Sequence, residues 1–477
     1  MQKRKYKMQD IGLVGLAVMG QNLALNMAEK GWSVSVFNRT SSKVDAFLEG
    51  EARGTGIVGF SDFEGFIASL KRPRKVILMV KAGPAVDSLI CQALPFLEEG
   101  DILIDGGNSY FHDTKRRVEE AQKHGVLYVG AGISGGEEGA RHGPSIMPGG
   151  SVEAWPEIKD IFQSISAHVG KAPCCEWLGE GGSGHYVKMV HNGIEYADMQ
   201  LIAESYDLLH RGLNCSAEEL ASIFSRWNRS HLNSYLIEIT AKIFGKKDVD
   251  GAPLVDKILD VAGQKGTGKW TVASALDLSI PLSLVGEAVF TRYLSARIED
   301  RQKTAEAIGD EVKRLKITKN SFCKRLEKAL YAAKIISYAQ GFHLMHQASK
   351  EYDWKINLGA CALMWRGGCI IRSAFLGKIK EAYDLDPDLS LLILDPFFKK
   401  ALSRSIDSLR RVVVAGALHG IPLPCFSAAL SWYDGVRSRR LPTNLLQAQR
   451  DLFGAHTFER TDKPRGHMFH ADWAGEE

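Results

Sequence analysis

Residues 11–20, Ile-Gly-Leu-Val-Gly-Leu-Ala-Val-Met-Gly, decide the first half of the fold. The run from Ile11 to Val14 is a short apolar segment typical of a buried strand, and it passes directly into a turn that begins at Gly15. A helical pattern follows, and Gly31 closes it before a second apolar run starts at Ser33. This strand-turn-helix-strand order predicts the opening unit of a parallel sheet wound by crossover helices.

The same alternation continues through the first part of the chain and then stops. The strands predicted after the first are Ser33 to Phe37, Val76 to Val80, Ile102 to Asp105 and Leu127 to Val129. Helical periodicity takes over from Gly184, and its longest stretches are Tyr186 to His210, Val285 to Lys316 and Phe322 to Ser349. The sequence therefore predicts an α/β Rossmann-type N-terminal domain (1–181), a large all-α domain (182–440) and a polar, irregular C-terminal tail (441–477).

The first turn has the spacing of a dinucleotide-binding loop. Gly15 permits the tight turn, position 17 lets the backbone approach a pyrophosphate, and Gly20 allows the helix to pack on the sheet. Ala17 stands where the general pattern has a second glycine, which weakens the match and leaves a structural turn without a ligand as the alternative. The predicted cofactor-binding residues of this turn are Gly15, Ala17, Val18, Met19 and Gly20.

The end of the second strand indicates which dinucleotide binds. NAD sites usually carry an acid here that accepts hydrogen bonds from the adenosine ribose, but this chain has Asn38, Arg39 and Thr40, with Lys43 nearby. A guanidinium fork, a hydroxyl and an amine suit a ribose phosphate. The sequence therefore predicts NADP rather than NAD.

A second polar constellation lies on the predicted helix from Tyr186. Lys188, His191, Asn192 and Glu195 are three or four residues apart and share one stripe. The alternative is a solvated helix face with a His-Glu contact. The intervening residues are apolar, so the helix is expected to be buried all round. Because buried lysine and glutamate are rare unless paired or functional, the stripe is predicted to line a cleft that holds a small polar substrate.

Three further loops follow predicted strands, where a parallel sheet presents its ligands. They are 80–83, 105–109 and 132–141, and they contribute Val80, Lys81, Ala82 and Asn108 to the predicted cofactor site. Glycines in the third loop expose consecutive backbone N–H groups suited to a carboxylate. Glu137 and Glu138 in that loop suggest acid/base or metal chemistry, but no second ligand cluster has metal spacing, so a surface or supporting role and no metal are expected.

Composition excludes several classes of protein. A hydrophobic content of 45% with a formal net charge of +4 is ordinary for a globular protein and indicates neither a nucleic-acid nor a membrane partner. Eight cysteines without metal-type spacing predict reduced, mostly buried thiols. Glycines interrupt the apolar run near the start, which argues against a secretory signal. We therefore expect a cytoplasmic protein.

Several blocks, in order along nearly the whole chain, resemble the 6-phosphogluconate dehydrogenase family, the decarboxylating dehydrogenases of the pentose phosphate pathway. The blocks are 15–20, Asn38-Arg39-Thr40, Ile133-Ser134-Gly135-Gly136-Glu137, Lys188 to Tyr196, Gln264 to Trp270, Trp365-Arg366-Gly367-Gly368-Cys369-Ile370-Ile371-Arg372 and Gln447 to His456. Alanine at position 17 is what this family carries. The departures are a few basic residues before the first strand and an ending, 461–477, that is less glycine-rich than is usual.

The resemblance implies NADP-dependent, metal-independent oxidative decarboxylation of 6-phosphogluconate to ribulose 5-phosphate. Lys188 resembles the family's general base, which takes the hydroxyl proton and then polarises the new carbonyl, and Glu195 resembles the acid that protonates carbon 1 of the enediol. The residues that would orient the sugar acid are Asn108, Ser134, Gly135, Gly136, His191 and Asn192. Those that would bind its phosphate are Tyr196, Lys265, Arg292, Arg450 and His456.

The resemblance also implies a homodimer, because the residues matching Arg450 and His456 belong to the tail of the partner subunit in this family. Two other interpretations stay open. One is a dehydrogenase of smaller, non-phosphorylated β-hydroxyacids, which shares the glycine turn, the Ser-Gly-Gly loop and the lysine but is generally shorter. The other is a catalytically silent NADP-binding protein, which the presence of both Lys188 and Glu195 disfavours.

Overall fold

The structure is a computed structural model that describes residues 7–473 and residue 475. Two compact units make up the chain, residues 1–429 and residues 430–477, and each is described by itself. Residues 474, 476 and 477 of the predicted tail, and the basic residues before Lys7, lie outside the described part. The predicted boundaries at 181 and 440 stay a prediction.

A seven-stranded sheet forms the centre of the N-terminal part. Its strands are β1 Ile11–Val14, β2 Val34–Phe37, β3 Val58–Phe60, β4 Lys75–Leu78, β5 Ile102–Asp105, β6 Leu127–Ser134 and β7 Ser145–Gly150. They lie in the order β3-β2-β1-β4-β5-β6-β7, and all neighbours are parallel except β6 and β7, which are antiparallel. A parallel sheet whose order reverses beside β1 is the predicted Rossmann-type architecture.

Both faces of the sheet are buried, which is why its strands read as continuous apolar runs. Ile102 and Ile104 of β5 point into one core with α1 and α7, whereas Leu103 points into the core on the opposite face. The helices of this part are α1 Val18–Glu29, α2 Ser41–Glu49, α3 Phe63–Ala68, α4 Pro84–Ala93, α5 Phe111–Gln122, α6 Gly136–His142 and α7 Trp155–Ile165. A two-stranded ribbon, β8 His168–Val169 with β9 Ala172–Pro173, follows them.

From Ser183 onward the first unit is helical. Its helices are α8 Ser183–Asp207, α9 Ala217–Trp227, α10 Tyr235–Gly245, α11 Thr267–Asp277, α12 Ser283–Ser295, α13 Ile298–Ile308, α14 Lys319–Glu351, α15 Leu358–Met364, α16 Leu376–Leu385, α17 Pro396–His419 and α18 Pro424–Val436, the last of which continues past residue 429. The long helices α8 and α14 pack against each other at the centre of this region. Among the described residues, none of the helices combines the length and apolar character required to cross a bilayer.

The structure confirms the fold class and corrects some elements. β3 and β7 were not predicted, and β7 adds an antiparallel edge to a sheet predicted as parallel. The single helix predicted over 285–316 is wrong. It is two helices, α12 and α13, because Arg297 leaves the helical region between them (ψ +57°), and Gly309, at φ +81°, ends the second.

The second unit contains α19 Thr443–Gly454 and a short ribbon of β10 Phe458–Glu459 with β11 Met468–Phe469. The fully buried carboxylate of Asp451 holds this unit together. It accepts hydrogen bonds from the backbone N–H of Thr457 and Ala471 and from the ring nitrogens of His470 and Trp473. These bonds hold the pKa of Asp451 well below its ordinary value. A polar hub therefore replaces the apolar core that the sequence of this segment lacks.

Candidate active site

The predicted polar stripe is present on α8. The Lys188 Nζ donates to Asn192 Oδ1 at 2.8 Å, and the same oxygen lies 3.1 Å from His191 Nδ1. His191 Nδ1 is also 3.8 Å from a carboxyl oxygen of Glu195. His191 is fully buried and Lys188 nearly so, which a solvated helix face would not show. The four side chains therefore form one connected group in the protein interior.

Burial shifts the protonation of this group toward neutral forms. Removal from water lowers the pKa of the Lys188 amine, an effect that the Glu195 carboxylate partly opposes. Burial raises the pKa of Glu195, and the carboxylate of Asp198 adds to this, while Lys188 and Arg292 oppose it. The pKa of His191 falls well below its ordinary value because of burial and the Lys188 charge. An amine with a lowered pKa and a carboxyl with a raised pKa on one surface can act as an acid/base pair.

The Ser134-Gly135-Gly136 loop brings the end of β6 to this stripe. Ser134 Oγ lies 3.4 Å from His191 Nε2. Gly135 has φ +109°, and a Cβ at this position would come within 2.6 Å of the carbonyl oxygen of Gly368, so only glycine fits. Gly136 opens the short helix α6, and Glu137 and Glu138 in its first turn are exposed. No group of His, Cys, Asp or Glu suited to a metal ion occurs among the described residues.

Asn108 lies on the loop after β5, whose conformation is set by the fully buried Asp105. The Asp105 carboxylate accepts hydrogen bonds from Ser109 Oγ at 2.6 Å and from the backbone N–H of Gly107 at 3.0 Å. Arg117 and Tyr128 reach the same carboxylate from α5 and β6, each at 3.3 Å. Asn108 itself is exposed, so this network holds the loop while leaving that side chain available to a ligand.

The predicted dinucleotide cradle lies at the start of α1. A Cβ on Gly20 would lie 1.9 Å from the carbonyl oxygen of Gly15, so the turn and the helix meet through glycine alone. Leu16 N–H donates to Asn38 Oδ1 at 3.1 Å, which joins this turn to the loop after β2. Val18 and Met19 open α1, whose first turn carries no acidic side chain. The helix N-terminus is therefore compatible with a pyrophosphate.

The loop after β2 offers cations to a ribose phosphate. Arg39, Thr40 and Lys43 are exposed around the N-terminus of α2, whose first turn also has no acidic side chain. Val80, Lys81 and Ala82 form the loop between β4 and α4, the next strand along the sheet from β1. This donor set fits NADP: glycine-lined backbone for the pyrophosphate, and a guanidinium, a hydroxyl and an amine for an additional phosphate.

Arg292 is a cation near the Glu195 end of the polar stripe. The Arg292 guanidinium lies over the Tyr196 ring, 3.5 Å from its centroid, and donates to the carbonyl oxygen of Gly263 at 2.9 Å. Glu195 is close enough to influence the pKa of Arg292. Lys265 is exposed just before α11. Arg450 and His456 lie on the second unit, both exposed, and their relation to this site stays a prediction.

The sequence interpretation missed two side chains that contact the stripe and a third that is close enough to influence it electrostatically. Thr267 Oγ1 accepts from Asn192 Nδ2 at 3.1 Å, the Trp365 ring meets the His191 ring edge-on with centroids 5.6 Å apart, and buried Cys369 is electrostatically coupled to Lys188. All three lie in the quoted blocks 264–270 and 365–372. The blocks were a signal, but spacing alone does not reveal contacts over such sequence separations.

Comparisons with known proteins point to one family over nearly the whole chain. The family model described as the NAD binding domain of 6-phosphogluconate dehydrogenase matches residues 10–179, and the one described as 6-phosphogluconate dehydrogenase, C-terminal domain, matches residues 184–473. The decarboxylating 6-phosphogluconate dehydrogenase of Mus musculus is 57% identical over 468 residues, 98% of this chain and 97% of that protein. The Saccharomyces cerevisiae enzyme "decarboxylating 1" is 56% identical over 474 residues, with coverages of 98% and 97%.

A solved structure is also similar. The 6-phosphogluconate dehydrogenase of Plasmodium falciparum, described in its apo form and in complexes with its cofactor NADP+ and its substrate 6-phosphogluconate, superposes with a TM-score of 0.94. It is 46% identical to this chain and the match covers 97% of this chain and all of that one.

Proposed function

The chain belongs to the 6-phosphogluconate dehydrogenase family, and from this premise we propose that the stripe Lys188, His191, Asn192 and Glu195 is its active site. The protein is an NADP-dependent oxidoreductase of the pentose phosphate pathway that converts 6-phosphogluconate to ribulose 5-phosphate and carbon dioxide. The observation that carries the site is the buried amine and the buried carboxyl on one face of α8, joined through His191 and Asn192.

NADP is held by the glycine turn at 15–20, the cations at 39–43, the loop at 80–82 and Asn108 in this proposal. When bound, it supplies the hydride acceptor for carbon 3 of the sugar acid. The chain's own contribution is to bind and orient the two molecules and to move protons. Arg39 and Lys43 give the preference for NADP, because the first turn of α2 beside them carries no acidic side chain that would repel the additional phosphate.

Lys188 is the general base. Burial keeps a fraction of its amine neutral, so Nζ accepts the proton of the substrate's 3-hydroxyl as the hydride leaves carbon 3. The resulting ammonium then donates a hydrogen bond to the new carbonyl oxygen. That bond stabilises the negative charge that develops on the oxygen as the carbon-1 carboxylate departs as carbon dioxide. The polarisation that some decarboxylating dehydrogenases obtain from a metal is assigned here to the lysine.

Glu195 is the general acid. Loss of carbon dioxide leaves an enediolate, whose oxygen takes the proton of the Lys188 ammonium to give the enediol. The carbon that carried the carboxylate must then gain a proton to become carbon 1 of ribulose 5-phosphate. The raised pKa of Glu195 keeps its carboxyl protonated at a pH where an exposed glutamate is ionised. Lys188 takes back the enediol hydroxyl proton as the ketone forms. The cycle closes when one proton passes from the Lys188 ammonium to the Glu195 carboxylate.

The remaining residues orient the substrate. Ser134, His191 and Asn192 supply hydroxyl, imidazole and amide groups beside the catalytic pair, and the backbone N–H groups of Gly135 and Gly136 suit the carboxylate. Tyr196, Lys265 and Arg292 bind the phosphate, a doubly anionic group that matches two cations. Glu137 and Glu138 have no direct part.

We further propose a homodimer in which Arg450 and His456 of each tail complete the phosphate site of the other subunit. In support, α19 carries its apolar side chains outward, with Leu452 62% and Phe453 71% exposed. A helix that presents such residues needs a surface to cover them.

A cytoplasmic location is proposed because the cysteines are free thiols, and it is tested by imaging a fluorescent fusion.

An absorbance assay of NADP reduction tests the activity. With 6-phosphogluconate, NADP reduction should match carbon dioxide release one to one. Gluconate without phosphate should lose most of the kcat/KM, because the phosphate contacts then contribute nothing. Efficient turnover of gluconate would instead support the β-hydroxyacid dehydrogenase interpretation, and no turnover of either compound would support the silent NADP-binding protein.

A further inference from the structure

The segment 365–372, Trp-Arg-Gly-Gly-Cys-Ile-Ile-Arg, has two sides, and the active site accounts for only one of them. On that side, Trp365 meets His191 and Cys369 lies beside Lys188. The Gly368 carbonyl oxygen accepts from Ser145 N–H at 2.8 Å and closes against Gly135. Its two arginines take no part in these contacts.

Both arginines line one cavity of about 350 Å³ next to α10. Arg366 Nε is buried and has no hydrogen-bond partner, and the same is true of Ser373 Oγ in the same wall. The Arg372 guanidinium lies 4.2 Å from the centroid of the Tyr235 ring, which fixes its plane. The cavity is within the size range of small-molecule sites.

Ion pairing within residues 7–473 does not neutralise these two charges, although Arg372 adds to Lys242 in lowering the pKa of the Glu238 carboxyl. Over residues 7–473, neither Arg366 nor Arg372 forms an ion pair, whereas the buried Arg117 of the sheet region is paired with both Asp87 and Asp105. The one acid in the cavity wall is Glu238, and Lys242 already binds it at 2.6 Å. The cavity wall therefore offers hydrogen-bond donors, two partly buried guanidinium groups and a buried hydroxyl, but no group that accepts from them.

We propose that this cavity is a second anion-binding site that takes a phosphate group, separate from the substrate's own phosphate site. Planar guanidinium forks bind phosphate oxygens in pairs, and the Ser373 hydroxyl supplies a further donor. The site takes either the free ion or a small phosphate monoester, since both present the same oxygens. An anion held there would rest on the segment that packs behind His191 and Gly135.

The test uses the full-length enzyme with 6-phosphogluconate and NADPH both saturating, a mixture that fills the substrate and cofactor phosphate sites without turnover. Inorganic phosphate is then titrated in by calorimetry at constant ionic strength. Glycerol 3-phosphate is the second probe, and tighter binding of the monoester identifies a metabolite as the natural ligand, whereas equal binding identifies the free ion. We expect one saturable site with either probe.

Variants assign the site. Arg366→Gln and Arg372→Gln should each weaken phosphate binding about tenfold or more, and Ser373→Ala, which disturbs the fold least, should weaken it about threefold. Arg229→Gln is the matched control, because Arg229 is exposed next to Asn228 but does not line the cavity, and it should bind as the wild type does. Absence of a saturable site in the wild type would overturn the proposal. So would phosphate binding as tight as that of the wild type in both Ser373→Ala and one of the two arginine variants.

Discussion

We predict that the pH dependence of the reaction comes from two residues, the proposed base Lys188 and the proposed acid Glu195. Activity should rise with pH as the Lys188 amine loses its proton and fall as the Glu195 carboxyl loses its own. Burial lowers the first pKa and raises the second, which brings the two limbs together and enlarges the fraction of enzyme with both groups neutral. We expect a bell-shaped profile of kcat/KM.

Substitution of either residue should remove one limb of this pH profile. Lys188→Met and Glu195→Gln keep approximate size but cannot exchange protons, so kcat should fall by about 10²- to 10⁴-fold. Thr267→Val, which removes only the acceptor of Asn192 Nδ2, is the comparison variant and should change kcat far less. Full turnover by Lys188→Met would end the assignment of the base.

Arg39 is predicted to set the choice between NADP and NAD. Arg39→Ala removes the planar cation at the proposed ribose-phosphate site, so KM for NADP should rise about 10- to 100-fold while KM for NAD changes little. Initial rates with each cofactor at saturating 6-phosphogluconate measure this. Arg53→Ala, an exposed arginine beyond the end of α2, serves as the control. Equal losses with both cofactors would place Arg39 elsewhere in the mechanism.

Between elements, the buried ion pair of Asp198 on α8 and Lys334 on α14 joins the two central helices. Lys334→Met leaves Asp198 charged, buried and unpaired, so the free energy of unfolding should fall by about 3–5 kcal/mol. The double variant Asp198→Asn/Lys334→Met should recover most of that loss. Denaturant unfolding of the wild type, Lys334→Met, Asp198→Asn and the double variant gives the coupling energy, and additive losses would show that the pair is not a unit.

Glu204 joins α8 to α18 and makes stability depend on pH. Its carboxylate accepts from the backbone N–H of Cys425 and Phe426, yet burial raises its pKa from 4.5 to about 7. Because the folded pKa exceeds the unfolded one, ionisation costs stability between about pH 4.5 and 7, in total about 3 kcal/mol.

Glu204→Gln keeps an acceptor for these N–H groups and removes the charge. Its free energy of unfolding should therefore decline less than that of the wild type between pH 5 and pH 7.5. Denaturant titrations at the two pH values measure the difference. Identical slopes in the two proteins would show that Glu204 does not titrate in this range. Glu238→Gln, an ion-paired glutamate on α10, is the control, and its slope should stay near that of the wild type.

Elements were predictable where local sequence alone determines them. β1 and β5 occur at the predicted residues because both faces of a central parallel strand are buried and every position except Asp105 is apolar or small. β7, Ser-Ile-Met-Pro-Gly-Gly, has weak strand propensity and forms through its antiparallel pairing with β6, which no local pattern reveals. The helix break at Arg297 is likewise invisible to a period count.

For the molecule as a whole, the stripe on α8 was predictable because helical spacing fixes which side chains share a face. Trp365 and Thr267 were not, since they reach His191 and Asn192 from elements that only the tertiary fold brings together. The sequence predicted a buried helix with four polar residues on one face, and the structure confirms that burial. The structure adds the hydrogen bonds that join these residues and the environment that lowers the pKa of the Lys188 amine and raises that of the Glu195 carboxyl.

The proposed exchange of tails between subunits can be tested in hybrid dimers. Co-expression of Lys188→Met with Arg450→Ala, each with a different affinity tag, allows dimers that carry both tags to be isolated. If the tail acts on the partner, the site with Lys188 receives an intact Arg450 from the other subunit, and the hybrid should show about half the wild-type activity. If the tail acts on its own subunit, both sites are defective.

The matched control is the hybrid of Lys188→Met with Glu195→Gln. Both defects lie on α8, so each site keeps one of them in either arrangement, and this hybrid should be inactive. Asp451→Asn should lower activity as the loss of Arg450 does. It weakens the hydrogen bonds that fix the chain after α19, and His456 lies in that segment. When the Arg450→Ala homodimer is itself inactive, half activity in the first hybrid and none in the second can arise only if each tail serves the active site of its partner.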